Sequence, residues 1–195
     1  MIGIVNYGGG NIFSLKSALN RVNVPYGMIN VPEDFDKFTH IIIPGVGHAG
    51  KCMMELQNSG LVEAIKNLKK PVLGICVGMQ LLTQFSEEGN SNLLQLFPLN
   101  TKRFPANLDI KIPHMGWNEV NYQHNDLFLN IKTNSHFYFV HSYYVENQDI
   151  YSIATTKHGV EFAAAIQRDN FYGVQFHPEK SGNAGEQLLF NFQNL

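Results

Sequence analysis

Between Pro71 and Gln80 the chain reads Pro-Val-Leu-Gly-Ile-Cys-Val-Gly-Met-Gln, an apolar run that ends in a cysteine with a glycine two residues to either side. Residues 72–75 have the length and apolar character of a buried strand. Leu81, Leu82 and Phe85 continue as the apolar side of a helix, which puts Cys76 at a strand-to-helix turn. Gly74-Ile75-Cys76-Val77-Gly78 has the spacing of the G-x-S-x-G elbow, whose glycines remove the Cβ clashes of a sharp, strained turn and leave the central sulfur or oxygen exposed. Amides at the helix N-terminus favour a thiolate over a thiol, and the amide of Val77 is placed to supply half of an oxyanion hole. A small, inert core residue is the other reading of a free cysteine.

A thiol nucleophile needs a base, and the base needs a group that orients it. Residues 171–176 read as a strand that runs into His177-Pro178-Glu179. Proline disfavours helix at His177, so the segment stays extended and residues i and i+2 point the same way. Glu179 can then fix the tautomer of His177 and stabilise its imidazolium while the other ring nitrogen faces the sulfur. Alone, a His-Pro-Glu reads equally as a surface loop; behind a strand, in a chain that also carries a cysteine elbow, it points to catalysis.

Gly74 to Gln80 and Gly173-Val-Gln-Phe-His-Pro-Glu-Lys-Ser181 resemble the two signatures of class I (triad-type) glutamine amidotransferases. Within that class the chain resembles the HisH-type glutaminase subunits of imidazole glycerol phosphate synthase. The supporting stretches are Tyr7-Gly-Gly-Gly-Asn11, Pro44-Gly-Val-Gly47, Ser86-Glu-Glu-Gly89, Pro113-His-Met-Gly-Trp-Asn118 and Phe139-Val-His-Ser-Tyr-Tyr144, which span nearly the whole chain in the family's order.

The resemblance implies a triad of Cys76, His177 and Glu179 that hydrolyses L-glutamine through a thioester without a cofactor. It also implies an oxyanion strand in which an amide near Val46 is the second donor beside Val77. The glutamine site would take Gly45, Gly47, Gln80, Glu88 and the backbone around Ser142 and Tyr143. The implied partner is a HisF-type (β/α)8-barrel cyclase, in a heterodimer that channels ammonia into imidazole glycerol phosphate and an aminoimidazole carboxamide ribonucleotide in histidine biosynthesis. Asn11, Trp117, Tyr138 and Lys180 fall on the corresponding interface. Asn6, where the family commonly has aspartate, and Val77, where it usually has leucine, depart from the pattern. They leave open a paralogue that aminates a different acceptor in sugar or surface-polymer synthesis. Readings from other classes are a cysteine peptidase and a non-catalytic binding module on the same fold; an intact Cys76, His177 and Glu179 speaks against the module.

With 195 residues, 44% of them hydrophobic, and no linker or internal repeat, residues 1–195 read as one domain. A net charge of -2 gives no electrostatic reason to expect a nucleic-acid partner. Cys52 and Cys76 are too few for a disulfide framework and form no Cys-x-x-Cys. His136 and His141 lie on opposite faces of one strand and no His-Glu-x-x-His occurs, so no metal site is expected. Gly8-Gly9-Gly10 lacks the third glycine of a dinucleotide loop, Phe13 standing there instead. The first residues are strand-like with no basic or long apolar leader, and no run approaches membrane-spanning length, which gives a cytoplasmic expectation with no membrane association.

Strand-like residues 1–7, 26–31 and 40–43 alternate with helix-like stretches, the first after Asn11 as N-cap. Residues 86–92 read as a polar loop. From Leu94 onward short strands dominate, 136–144 among them as one strand, and 185–192 close the chain as a helix. The expected fold is therefore α/β: a three-layer sandwich with helices on both faces of a mostly parallel central sheet that becomes mixed in the second half, the flavodoxin-like arrangement of class I glutaminases.

Overall fold

The computed structural model describes residues 1–195. Strand β1 (Ile2–Val5) is buried along its whole length, and the side chain of Asn11 accepts from the Ser14 N–H to start α1 (Ile12–Arg21). Then follow β2 (Tyr26–Ile29), a 3₁₀ turn over Pro32–Lys37, β3 (His40–Ile43), α2 (Ala49–Asn58), α3 (Val62–Lys66), β4 (Val72–Ile75) and α4 (Val77–Leu81). Beyond these lie β5 (Thr83–Ser86), β6 (Ser91–Asn92), β7 (Phe97–Arg103), β8 (His114–Glu119), β9 (Asn121–Tyr122), β10 (His136–His141) and β11 (Tyr143–Val145). The chain ends with β12 (Ser152–His158), β13 (Val160–Arg168), β14 (Phe171–Val174) and α5 (Gly182–Gln193).

The central sheet has the order β2-β1-β3-β4-β14-β13-β12-β9. Its first five strands are parallel and its last three antiparallel. β1, β3 and β4 are buried at every residue, as parallel strands covered on both faces must be. On one face α1 packs beside α5, joined by the Arg21–Glu186 ion pair, and on the other α2 packs beside α4. β4 and β14 are parallel neighbours with Ile75 opposite Val174, so the residues that follow them, Cys76 on one and His177 on the other, emerge at the same end of the sheet. No helix is long and apolar enough to cross a membrane.

Three local expectations are corrected. The helix after Cys76 stops at Leu81, and Phe85 lies on β5. The N–H groups of Leu94, Leu96 and Phe97 take the carbonyls of Leu81 and Leu82 that a longer helix would need, and the Thr83 hydroxyl donates to Gln80 O. Residues 86–92 are not wholly a loop, because Ser86 and Phe85 pair with Ser91 and Asn92 in a short hairpin. The segment 136–144 is two strands: β10 pairs with β8, β11 pairs with β7, and the break falls at Ser142, where His141 Nδ1 donates to the carbonyl of Tyr143 at 2.7 Å.

Candidate active site

Cys76 has φ 54° and ψ −110°, a conformation that costs a residue with a Cβ of the order of 1–3 kcal/mol. The surrounding glycines are what allow it. A Cβ on Gly78 would lie 1.9 Å from the carbonyl oxygen of Ile43, and one on Gly74 would lie 2.5 Å from the carbonyl oxygen of Gly78, so the elbow closes only when both are bare. The N–H of Cys76 donates to Val174 O at 2.8 Å, tying the elbow to the strand that delivers the histidine.

The expected extended run through Glu179 is corrected: His177 is extended, but Pro178–Lys180 form a 3₁₀ turn, with proline at its first position where no N–H is needed, and this turn brings the carboxylate back to the ring. His177 itself is fixed by its own backbone. Its N–H donates to Tyr138 O at 2.9 Å, and its carbonyl accepts from Ser181 Oγ at 2.6 Å. Nδ1 donates to Glu179 Oε1 at 2.7 Å, between side chains that are 2% and 4% exposed. Nε2 is buried and makes no hydrogen bond to the rest of the protein. Burial opposes the charged imidazole, but Cys76 and then Glu179 outweigh it, and the pKa of His177 rises from 6.5 to about 10. At neutral pH the imidazole therefore carries a proton on each nitrogen, with Nε2–H available toward the sulfur.

A cavity of about 170 Å³ opens over this pair. Cys76, Val77 and His177 form its floor; Val46 and Gly47 come from the segment after β3, Gln80 from α4, and Glu88 from the β5–β6 turn. Val140, His141, Ser142 and Tyr143 close it at the β10–β11 break. Glu88 is pinned there because its Oε2 accepts from the Ala49 N–H at the start of α2, at 2.6 Å. Glu179 stands behind His177, outside the cavity.

Gly45, expected beside the substrate, does not line this cavity. It packs under the elbow, where a Cβ would come within 2.5 Å of Gly78 N, and its carbonyl accepts from the Val77 N–H at 3.3 Å. The Gly45–Val46 peptide is planar and trans, so with its C=O aimed at Val77 its N–H points the other way. One expected oxyanion donor is thus occupied and the other turned aside. An amide at a buried elbow takes the nearest acceptor when no oxyanion is there. The neighbouring carbonyls are held from behind: Tyr7 Oη donates to Pro44 O at 2.6 Å, and Cys52 Sγ, on α2, to Val46 O at 3.5 Å.

Gln80 has little left to offer on its nitrogen. Nε2 donates to Tyr143 O at 3.0 Å and to Gln175 Oε1 at 3.1 Å, leaving its carbonyl oxygen for the cavity. The sequence reading passed over Gln175, whose Nε2 lies 3.7 Å from Cys76 Sγ. The signal is its place in the sequence: Gln175 stands two residues before His177, in the spacing that puts side chains on one side of an extended chain, although here the chain bends just past β14.

His114 and His141 form an imidazole pair at the cavity wall, which His141 lines, Nδ1 of the first 2.9 Å from Nε2 of the second. Burial lowers both, His114 from 6.5 to about 4 and His141 to about 3, so they are neutral at pH 7. No three His, Cys, Asp or Glu side chains converge as metal ligands would. Outside the cavity, Trp117 is 56% exposed and sits opposite Tyr138 across β8 and β10, the rings 6.2 Å apart. Lys180 Nζ lies 5.7 Å above the Tyr138 ring, and Met115, two residues before Trp117, is also exposed. Asn11 is part-buried, its side chain engaged as the cap of α1.

A strained cysteine elbow and a buried His-Glu pair on adjacent parallel strands are the arrangement of a thiol hydrolase. The sequence profile described as "Glutamine amidotransferase class-I" matches residues 4–194, and the chain belongs to that family. Over its length it is similar to proteins named "Imidazole glycerol phosphate synthase subunit HisH": 44% identical to that of Bacteroides fragilis, covering 100% of this chain and 99% of that protein. The similarity to that of Haemophilus influenzae is 48% identity over 98% of this chain and 96% of the other. Among solved structures, PurLQS from Thermotoga maritima shares the fold with a TM-score of 0.73 at 17% identity, covering 99% of this chain and 97% of that one.

Proposed function

We propose that this chain is the glutaminase subunit of an imidazole glycerol phosphate synthase, hydrolysing L-glutamine to glutamate and delivering the ammonia to a synthase partner in histidine biosynthesis. The observation that carries the reading is His177 held by Glu179 at 2.7 Å and lining one cavity with Cys76, in a chain 44–48% identical over its length to HisH subunits.

In this reading residues 1–195 are one domain, working in the cytoplasm. The Cys76 thiolate attacks the side-chain amide carbon of glutamine and the C–S bond forms. The oxyanion is held by backbone amides once the Gly45–Val46 peptide has turned its N–H into the site and released that of Val77. Collapse breaks the C–N bond as His177 gives its Nε2 proton to the departing amine, which leaves as ammonia. Neutral His177 then takes a proton from water, whose oxygen attacks the thioester. The C–S bond breaks, glutamate leaves, and the thiolate–imidazolium pair is restored. Glu88 faces the substrate ammonium, Gly47, Ser142 and Tyr143 present backbone to the carboxylate end, and the Gln80 carbonyl oxygen meets the amide end.

The partner is a HisF-type (β/α)8-barrel cyclase docked over Trp117, Tyr138, Lys180 and Asn11. Ammonia released into water would be protonated and lose its nucleophilicity, so the passage between the subunits is closed. The test is glutamate release by the chain alone, with the cyclase, and with cyclase plus its acceptor nucleotide. The resting oxyanion strand lacks a presented donor, a defect worth roughly 10²- to 10³-fold in kcat, so release rises in that order. Equal kcat in all three conditions overturns the partner reading, and no glutamate in any overturns the glutaminase.

A further inference from the structure

Gln175 follows the last residue of β14, its N–H donating to Ala164 O at 2.9 Å, and its side chain is wholly buried. Which end of its amide faces the sulfur is decided by a chain of hydrogen bonds that begins at a group with no choice. Tyr143 O is a backbone carbonyl and only accepts, so the Gln80 atom 3.0 Å from it is the NH₂. That same NH₂ lies 3.1 Å from Gln175, and the Gln175 atom receiving it is the carbonyl oxygen. The NH₂ of Gln175 is thereby turned to Cys76 Sγ, 3.7 Å away.

We propose that Gln175 is a catalytic residue of this site, its side-chain amide donating to the Cys76 sulfur and holding negative charge there, with Gln80 as the positioning residue that keeps the amide in that orientation. This rests on Cys76 being the nucleophile of the glutaminase reaction and assigns a role that the triad leaves unfilled. A donor aimed at the charged form favours it, and a buried amide does so without competition from water. The imidazolium of His177 can balance negative charge on the sulfur, but His177 surrenders its proton with the departing ammonia. Gln175 cannot lose its proton. When the thioester breaks and the C–S electron pair returns to sulfur, the amide receives that charge from a position set beforehand.

The experiment is the pH dependence of Cys76 alkylation by iodoacetamide in the full-length chain, read at the Cys76 peptide by mass spectrometry. Glutamate release by the wild-type chain with its cyclase is measured in parallel. Gln175→Met keeps length and bulk and removes the donor; the midpoint is expected to move up by about one pH unit, the size of a weak hydrogen bond to a charged group. Gln80→Met leaves Gln175 in place but frees its amide to turn over, and a smaller upward shift is expected. Far-UV circular dichroism and cyclase binding establish that each variant is folded. If Gln175→Met does not fold, Gln80→Met decides alone. A wild-type midpoint in the folded variant, with the wild-type chain making glutamate, overturns the proposal. The upward shifts in a wild-type chain that makes no glutamate would uphold the sulfur–amide contact and overturn the glutaminase reading instead.

Discussion

Replacing Glu179 with glutamine separates orientation from charge in the triad. The carboxylate acts on His177 through one 2.7 Å bond, while the backbone of His177 is held independently by Tyr138 O and Ser181 Oγ. A glutamine carbonyl oxygen accepts the same Nδ1–H, so ring position and tautomer survive and only the negative charge is removed. A hydrogen bond to a charged group is worth about 1.5–3 kcal/mol against about 1 for a neutral one. The difference, roughly 0.5–2 kcal/mol, falls on the imidazolium and corresponds to about a 2- to 30-fold loss in kcat. A second cost is structural, since Glu179 Oε2 is buried without a partner and an NH₂ in its place would have no acceptor, about 1–3 kcal/mol of stability.

The same substitution has a signature in pH. The folded pKa of His177, about 10, lies above its ordinary 6.5, so the stability it contributes is fully present below 6.5 and is lost as pH rises through 10. Glu179→Gln removes one of the two groups that hold the pKa up, so the alkaline decline should end at lower pH and total less. The assays are glutamate release with cyclase and acceptor nucleotide present, and urea unfolding from pH 6 to 10. Wild-type kcat together with a wild-type pH profile would refute the charge argument. A loss as large as that of His177→Ala would refute the claim that orientation survives.

Glutamine-analogue electrophiles should label Cys76 and not Cys52, whose thiol is buried on α2 against Val46 O and pushed up by that burial; peptide mapping decides, and dominant Cys52 labelling would reverse the assignment. Gly78→Ala should abolish turnover, because its Cβ would sit 1.9 Å from a backbone oxygen of β3; activity within tenfold of wild type would mean that the elbow can open without loss. His114 and His141 should give the protein an acid limb. Their folded pKa values of about 4 and 3 lie below 6.5, so stability present above 6.5 is lost as pH falls toward those values, by up to about 1.4 kcal/mol per pH unit for each. In urea unfolding, His114→Phe should flatten that limb, and an unchanged slope would show that the pair is not the cause.

Much of this protein follows from local rules in its sequence. The elbow is written in Gly74, Cys76 and Gly78 because a strained turn admits no Cβ at either flank, and the His-Glu pair shows in the residue types at 177 and 179, although Pro178 starts a 3₁₀ turn and does not keep Glu179 extended. The buried strands β1, β3 and β4 announce themselves as uninterrupted apolar runs. What tertiary structure alone decided is where backbone groups find partners across long separations. Leu94, Leu96 and Phe97 end α4 by taking its carbonyls, although Phe85 continues the helical pattern of Leu81 and Leu82. The Gly45 carbonyl takes the Val77 amide, so the oxyanion strand rests with its donors withheld. Gln175 reaches the sulfur only because Gln80, 95 residues away in the chain, turns its amide. Side-chain type and spacing are local properties that a sequence displays, whereas the choice among competing hydrogen-bond partners depends on which groups the folded sheet brings within about 3 Å.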